Sequence, residues 1–174
     1  QLAENSNTNA DFKRIKEIGR KKCCHVSEWV HNPNTEDADW NRDLPQMLKN
    51  ARTTIFELEI DRAEHLRILA YDKKLMKIVA DREIGMTMCP SSYLSTELIK
   101  DVKELRIDEI LDAGVLLSLH SDDDLFMENL DEMYNRCHMA YGFTPEQIQR
   151  LRLNAWKTRF GNRKPVPQDI ANLV

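Results

Sequence analysis

The sequence predicts an α/β fold of four parallel strands joined by crossover helices. Three observations predict it. Short apolar runs alternate with longer amphipathic ones along the chain. The clearest run, Val115-Leu-Leu-Ser-Leu119, is apolar almost throughout, as a strand buried on both faces should be. A strand–helix alternation repeated four times calls for a parallel sheet with its helices on the outside. Four such units amount to half of an eight-stranded barrel or to a small open sheet.

The elements follow in order. A helix over about Asp11 to Lys21 precedes a short strand at Lys22 to Val26. Residues 32–43, rich in Asp and Asn, read as a long loop. Leu44 to Glu57 suits a helix, with Pro45 acceptable in its first turn. Ile60 to His65 is a weakly patterned second strand. Asp72 caps a helix to about Asp81, whose Leu75, Met76, Ile78 and Val79 fit a 3.6-residue period. Met86 to Cys89 is a third strand, stopped by Pro90. Asp101 to Ala113 forms the next helix, ended by Gly114, and Val115 to Leu119 the fourth strand. Two helices close the chain: Leu125 to Tyr141, and one opened by the capping box of Thr144, Pro145 and Gln147. Trp156 and Phe160 are expected on the core side of that last helix.

The totals bound the function. With 174 residues, 41% hydrophobic and 31% charged, the chain reads as a single-domain fragment over 1–174 with room for a core. A net charge of −4 argues against general nucleic-acid affinity. No apolar run approaches the ~20 residues that span a bilayer, and the polar start Gln1-Leu-Ala-Glu-Asn-Ser6 shows no signal-peptide pattern, so none is expected. We therefore expect no membrane partner and a cytoplasmic setting. The start at Gln1 rather than Met suggests a piece of something longer. The four cysteines, Cys23, Cys24, Cys89 and Cys137, contain no CxxC, so reduced thiols are expected.

Chemistry gathers at the C-terminal ends of barrel strands. His25 and Glu28 end the first strand, His65 the second, Cys89-Pro90 the third, and Ser121-Asp122-Asp123 the fourth. Each motif alone has an ordinary reading: a chance HxxE, a structural histidine, a strand-ending turn, an acidic helix cap. Three carboxylates directly after an apolar strand are nonetheless expensive to hold near a core without a cation or donors. Reactive residues at all four ends point to a barrel rather than an open sheet.

The order H-x-x-E, R-x-x-H, C-P-x-S, S-D-D resembles the adenosine deaminase family, which runs HAGE, RIGHG, CPxSN and (T/S)DDP. Leu151-Arg-Leu-Asn-Ala-Trp-Lys-Thr-Arg-Phe160 is similar to that family's closing L-x-x-N-A motif. The resemblance implies the C-terminal half of a (β/α)8 TIM barrel, carrying parallel strands five to eight. It implies a hydrolase that replaces the 6-amino group of a purine with oxygen, releasing ammonia. Zinc would be held by His25 and Asp122. Glu28 would protonate the purine ring, and His65 would orient and deprotonate the attacking water. Asp123 and Ser27 would bind the substrate, a purine nucleoside, base or nucleotide.

The family's remaining zinc donors form an H-x-H pair on its first strand, and this sequence has no H-x-H. Catalytic zinc normally takes three protein ligands, so this segment alone should be inactive. Its expected partner is an N-terminal barrel half, in the same parent chain or another. Val26-Ser27 in place of Ala-Gly, Leu66 in place of Gly, Tyr93 in place of Asn and Asp124 in place of Pro depart from the pattern. A long stretch from Trp29 to Asn41, with His31 and Trp40, should reshape the pocket. These departures motivate two alternatives: an inactive binding or scaffold module, and a barrel metal hydrolase acting on a non-purine.

Overall fold

The computed structural model describes residues 14, 17, 23–25, 40–123, 125–160 and 168, with the backbone alone at 24, 25 and 40–42. Four strands, β1 (Cys23–His25), β2 (Arg62–Glu64), β3 (Gly85–Met88) and β4 (Leu116–Leu119), form one sheet in that order. Every neighbouring pair is parallel. The α/β fold with a parallel sheet is thus as the sequence predicts. The crossovers carry α1 (Trp40–Phe56), then a 3-10 turn (Arg67–Tyr71) with α2 (Lys73–Asp81). Between β3 and β4 lie α3 (Pro90–Ser95), a second 3-10 turn (Val102–Leu105) and α4 (Ile107–Asp112). Helices α5 (Leu130–Tyr141) and α6 (Pro145–Lys157) follow β4. Arg14 and Glu17 are helical, and the rest of the helix expected over 11–21 lies outside the described residues.

The caps read from the sequence are in place. The Asp72 carboxylate accepts the Lys74 and Leu75 amides at 3.1 and 3.0 Å. Thr144 and Gln147 form a capping box, with Pro145 in the first position of α6. Gly114 takes φ +88 after α4, the left-handed stop that glycine allows cheaply.

Three helices depart from expectation. The first begins at Trp40 rather than Leu44, so Pro45 lies inside it and cannot serve the carbonyl one turn back. The helix expected over 101–113 is two pieces. Asp101 and Glu104 close a capping box on the 3-10 turn, and Arg106, at φ +52, breaks the chain before α4. Its guanidinium grips Glu109 through two bonds of 2.7 and 2.6 Å, and the Tyr141 hydroxyl accepts the Ile107 amide at 3.2 Å. The helix expected from Leu125 starts at Leu130, because Asn129 and Glu132 form its capping box. Trp156 and Phe160 are not core. Trp156 is half-buried and lines a cavity of about 510 Å³ with His120 and Tyr134. Phe160 lies beyond α6 under the Arg62 guanidinium, 4.4 Å from its ring centre. Leu151 and Asn154 are the buried residues of α6.

The register gives the sheet two unlike faces. Ala63, Met86 and Leu117 are aligned, as are Met88 and Leu119, and none of the five exceeds 2% exposure. Their burial is the hydrophobic seam between sheet and helices. The opposite parity aligns Arg62, Gly85 and Leu116, then Glu64, Thr87 and Ser118. That face is polar. Arg62 pairs with Glu64 at 2.8 Å, and Ser118 Oγ donates to the Met86 carbonyl at 3.3 Å.

The outer edge of β4 is covered by side chains. His120 N–H reaches the Met88 carbonyl, so the even-numbered residues of β4 face β3 and Leu117 and Leu119 face outward. Asn154 Nδ2 donates to the Leu117 carbonyl at 2.9 Å. The backbone of Leu119 hydrogen-bonds the Tyr134 hydroxyl.

Candidate active site

Parallel pairing brings the C-terminal ends of β2, β3 and β4 to one side of the sheet. The next residues there are His65, Cys89 and, three beyond the strand, Asp122. One donor atom from each lies within 4.8 Å of the other two. His65 Nε2 is 3.7 Å from Asp122 Oδ2. His65 is half-buried, Cys89 buried and Asp122 exposed.

Backbone conformation makes this meeting possible. Strand alternation would send His65 to the same side as Ala63, toward the helices. Its φ of +59 ends the alternation, and its amide still bonds the Thr87 carbonyl at 3.0 Å. Asp122 is also left-handed, at φ +64. Non-glycine residues pay for that region, and such outliers concentrate at functional positions. Cys89 needs no such device, since it continues the parity of Gly85 and Thr87.

Tyr93 secures the histidine. Its hydroxyl donates to the His65 carbonyl at 3.0 Å, and the two rings lie 5.6 Å apart, tilted by 58°. The Arg67 guanidinium sits over the Tyr93 ring, 5.3 Å from its centre. Ser91 Oγ donates to Glu128 Oε2 at 3.0 Å, and Arg136 Nε donates to the same carboxylate at 2.8 and 2.9 Å. The turn after β3 is thereby tied to the segment leading into α5.

Burial pushes the Cys89 thiol up to about 12, with the nearby carboxylates of Asp122 and Glu64 adding to the shift. Burial lowers the His120 pKa, Arg62 lowers it further, and Glu64 opposes them. His120 Nε2 lies 2.9 Å from Ser118 Oγ.

The residues singled out by the sequence fall into three groups. His65 and Asp122 are brought together. Asp123 stands beside them, exposed, with Oδ1 accepting the Leu125 amide at 3.2 Å and its carbonyl accepting Phe126 and Met127. His25 ends β1, where the backbone alone is described, while Ser27, Glu28, His31 and Asp124 lie outside the described residues. The sequence reading missed Cys89 as a member of the cluster. The parity of β3 was the available signal, because it places position 89 with the polar positions 85 and 87. Tyr93, noted there only as a departure from pattern, supports His65.

The model of the adenosine deaminase family matches residues 45–171. An adenine deaminase of Candida albicans is 31% identical over 101 residues, covering 58% of this chain and 28% of that protein. Among solved structures, an adenine deaminase from Arthrobacter aurescens aligns with a TM-score of 0.72 at 16% identity, over 95% of this chain and 45% of that one. An amidohydrolase from Burkholderia ambifaria, solved with bound zinc, aligns with a TM-score of 0.69 at 15% identity, over 95% of this chain and 41% of that one. The chain spans less than half the length of each of these relatives. No helix among the described residues is long and apolar enough to cross a membrane.

Proposed function

Because the chain belongs to the adenosine deaminase family, we propose that it supplies the C-terminal half of a (β/α)8 barrel that hydrolyses the 6-amino group of a purine. The other strands, and the other zinc donors, would come from polypeptide beyond this segment. The observation that carries the proposal is the approach of His65 and Asp122 to 3.7 Å at the ends of β2 and β4. His65 reaches that position by leaving the strand alternation through its left-handed backbone, and Asp122 is left-handed as well.

The donor types suit zinc. An imidazole and a carboxylate are among its ordinary ligands, and the zinc-bound amidohydrolase aligns over nearly the whole chain. In this proposal Asp122 and His25 hold the ion. Zinc, when bound, lowers the pKa of water toward ~7 and so supplies a nucleophile at neutral pH.

The chain's own side chains do the rest. His65, within a few ångströms of Asp122, holds the attacking water in line and takes its proton. Glu28 gives a proton to the purine ring nitrogen as oxygen adds at C6. The proton held by His65 passes to the amino group, which leaves as ammonia; the hydroxyl gives up its proton to restore Glu28, and the ring is left as the 6-oxopurine. Asp123 hydrogen-bonds a second ring nitrogen, and Ser27 offers its backbone to the base. The acidic stretch of Glu36, Asp37 and Asp39, with Asp124, disfavours a phosphorylated substrate, while Arg42 and Arg67 act in the opposite sense.

The test is ammonia release from adenosine and adenine by the complete parent protein, with zinc stoichiometry measured alongside. One zinc per chain and turnover support the proposal. An intact barrel without zinc and without turnover overturns it in favour of a binding or scaffold module.

A further inference from the structure

We propose that Leu125, Phe126 and Leu130, together with the cavity at the outer side of β4, are the seat of an apolar segment of the polypeptide that completes the barrel. The inference rests on the barrel reading above and adds to it a contact made by side chains beyond the sheet.

Exposure is the first observation. The exposed large apolar residues among those described are Phe56, Tyr71, Leu125, Phe126, Leu130 and Met139. Single exposed apolar residues are ordinary, whereas a contiguous group marks a contact surface. Phe56 and Tyr71 each have a guanidinium over the ring, Arg82 at 5.0 Å and Arg106 at 5.2 Å. Met139 stands alone on the outside of α5. Leu125 and Phe126 are adjacent, at 84% and 82% exposure, and Leu130 follows at the start of α5.

The turn that bears the pair is held by Asp123. Its carboxylate accepts the Leu125 amide at 3.2 Å, and its carbonyl accepts the Phe126 and Met127 amides at 3.2 and 3.0 Å. The backbone is thus ordered before a partner arrives, which lowers the entropic cost of docking. Ser121 and Leu130, at the two ends of this loop, both line the cavity of about 510 Å³, with Leu119 of β4 and Trp156 of α6 on its walls. Patch and cavity therefore belong to one surface. Asp131 and Arg152, both exposed, line the same cavity. Apolar area with charged residues alongside is the make-up of a protein interface.

The occupant follows from length and from the sheet. The chain spans 28% of the Candida albicans protein and 45% of the Arthrobacter aurescens one. More than half of such a protein is therefore polypeptide outside the matched part. To close a barrel, that polypeptide must meet β4 on its outer edge. Asn154 and Tyr134 already bond the Leu117 and Leu119 backbone there. Burial of side chains, more than new ladder bonds, is left to drive the joining. A segment that is apolar where it meets Leu125 and Phe126 satisfies this.

The photo-reactive side chain p-benzoylphenylalanine, placed at Phe126 of the complete parent protein, is the probe. Irradiation and peptide mass mapping should join position 126 to a peptide outside residues 1–174. The same group at Leu125 should do so too, and serves if the first variant does not fold. At Met139, equally exposed but sharing a different groove with Leu94 and Lys100, no such product should form. Phe126→Ser should lower the urea midpoint of the complete protein, and Met139→Ser should leave it in place. A product confined to residues 1–174, one joining two copies, one joining an added purine, no product at all, or equal midpoints for the two serine variants each overturn the proposal. Ammonia release does not enter the readout. Turnover without the cross-link sinks this inference alone, and the cross-link without turnover sinks only the deaminase chemistry.

Discussion

The Tyr93 hydroxyl donates to the His65 carbonyl at 3.0 Å while its ring flanks the imidazole, so one residue restrains both the backbone and the side chain of the histidine. Tyr93→Phe keeps the ring and deletes the bond. The urea midpoint should fall by the equivalent of about 1 kcal/mol, the net worth of one such hydrogen bond. The His65 ring resonances should also broaden or shift in the NMR spectrum. Unchanged stability together with an unmoved spectrum would show that the ring contact alone suffices.

Gly85 marks where α6 leans on the sheet. A Cβ there would sit 2.7 Å from both Cβ and Cγ2 of Thr158, closer than real side chains come. Thr158 cannot easily retreat, since its Oγ1 donates to the Asn154 carbonyl at 2.9 Å. Gly85→Ala should therefore cost about 1–3 kcal/mol, as overpacking does, read from urea unfolding. Thr158→Ala in the same chain should recover only part of it, because one of the two clashing atoms remains.

Alkaline pH should weaken the fold. Burial raises Cys89 and Cys137 from 9.0, and Tyr134 from 10.0, to about 12 in each case. The folded state keeps these protons while the unfolded chain releases them. The stabilisation is thus complete below about pH 9 and is lost progressively as pH rises toward 12. Urea midpoints measured from pH 8 to 11 should fall, and Cys137→Ala should flatten the fall even as it lowers the starting value. A midpoint that rises over this range would contradict the assignment.

Replacing Asp123 tests a purine substrate against a non-purine one. In the completed protein, Asp123→Ala should lower kcat/KM about 10- to 100-fold if its carboxylate receives a hydrogen bond from the purine ring. A near-normal value would point to a substrate without that ring nitrogen. Either way the turn that Asp123 caps through Leu125 is exposed, so the fold should survive the change, as circular dichroism would show.

Local rules made much of this legible in advance. Asp72, Thr144 and Gly114 act as read, because caps depend on a few adjacent residues. The order of reactive strand ends was likewise written in the sequence, and with it the family. What escaped needed distant partners. The break at Arg106 depends on Tyr141, thirty-five residues later, whose hydroxyl accepts the Ile107 amide. The start of α1 at Trp40 overrode the signal of Pro45 as a first-turn residue. The meeting of His65 with Cys89 and Asp122 required the register of three strands and two positive φ angles, and no window of neighbouring residues encodes those. Trp156, expected on the core side of its helix, instead lines the cavity of about 510 Å³ together with residues of β4 and α5.

The cover on the outer edge of β4 has a consequence for assembly. Asn154 and Tyr134 occupy the backbone positions that an incoming strand would use. A fifth strand pairing there would compete with these two side-chain bonds. Until it arrives the edge is blunted against adventitious pairing. A strand added at this edge would therefore gain fewer new backbone bonds than one added at a bare edge.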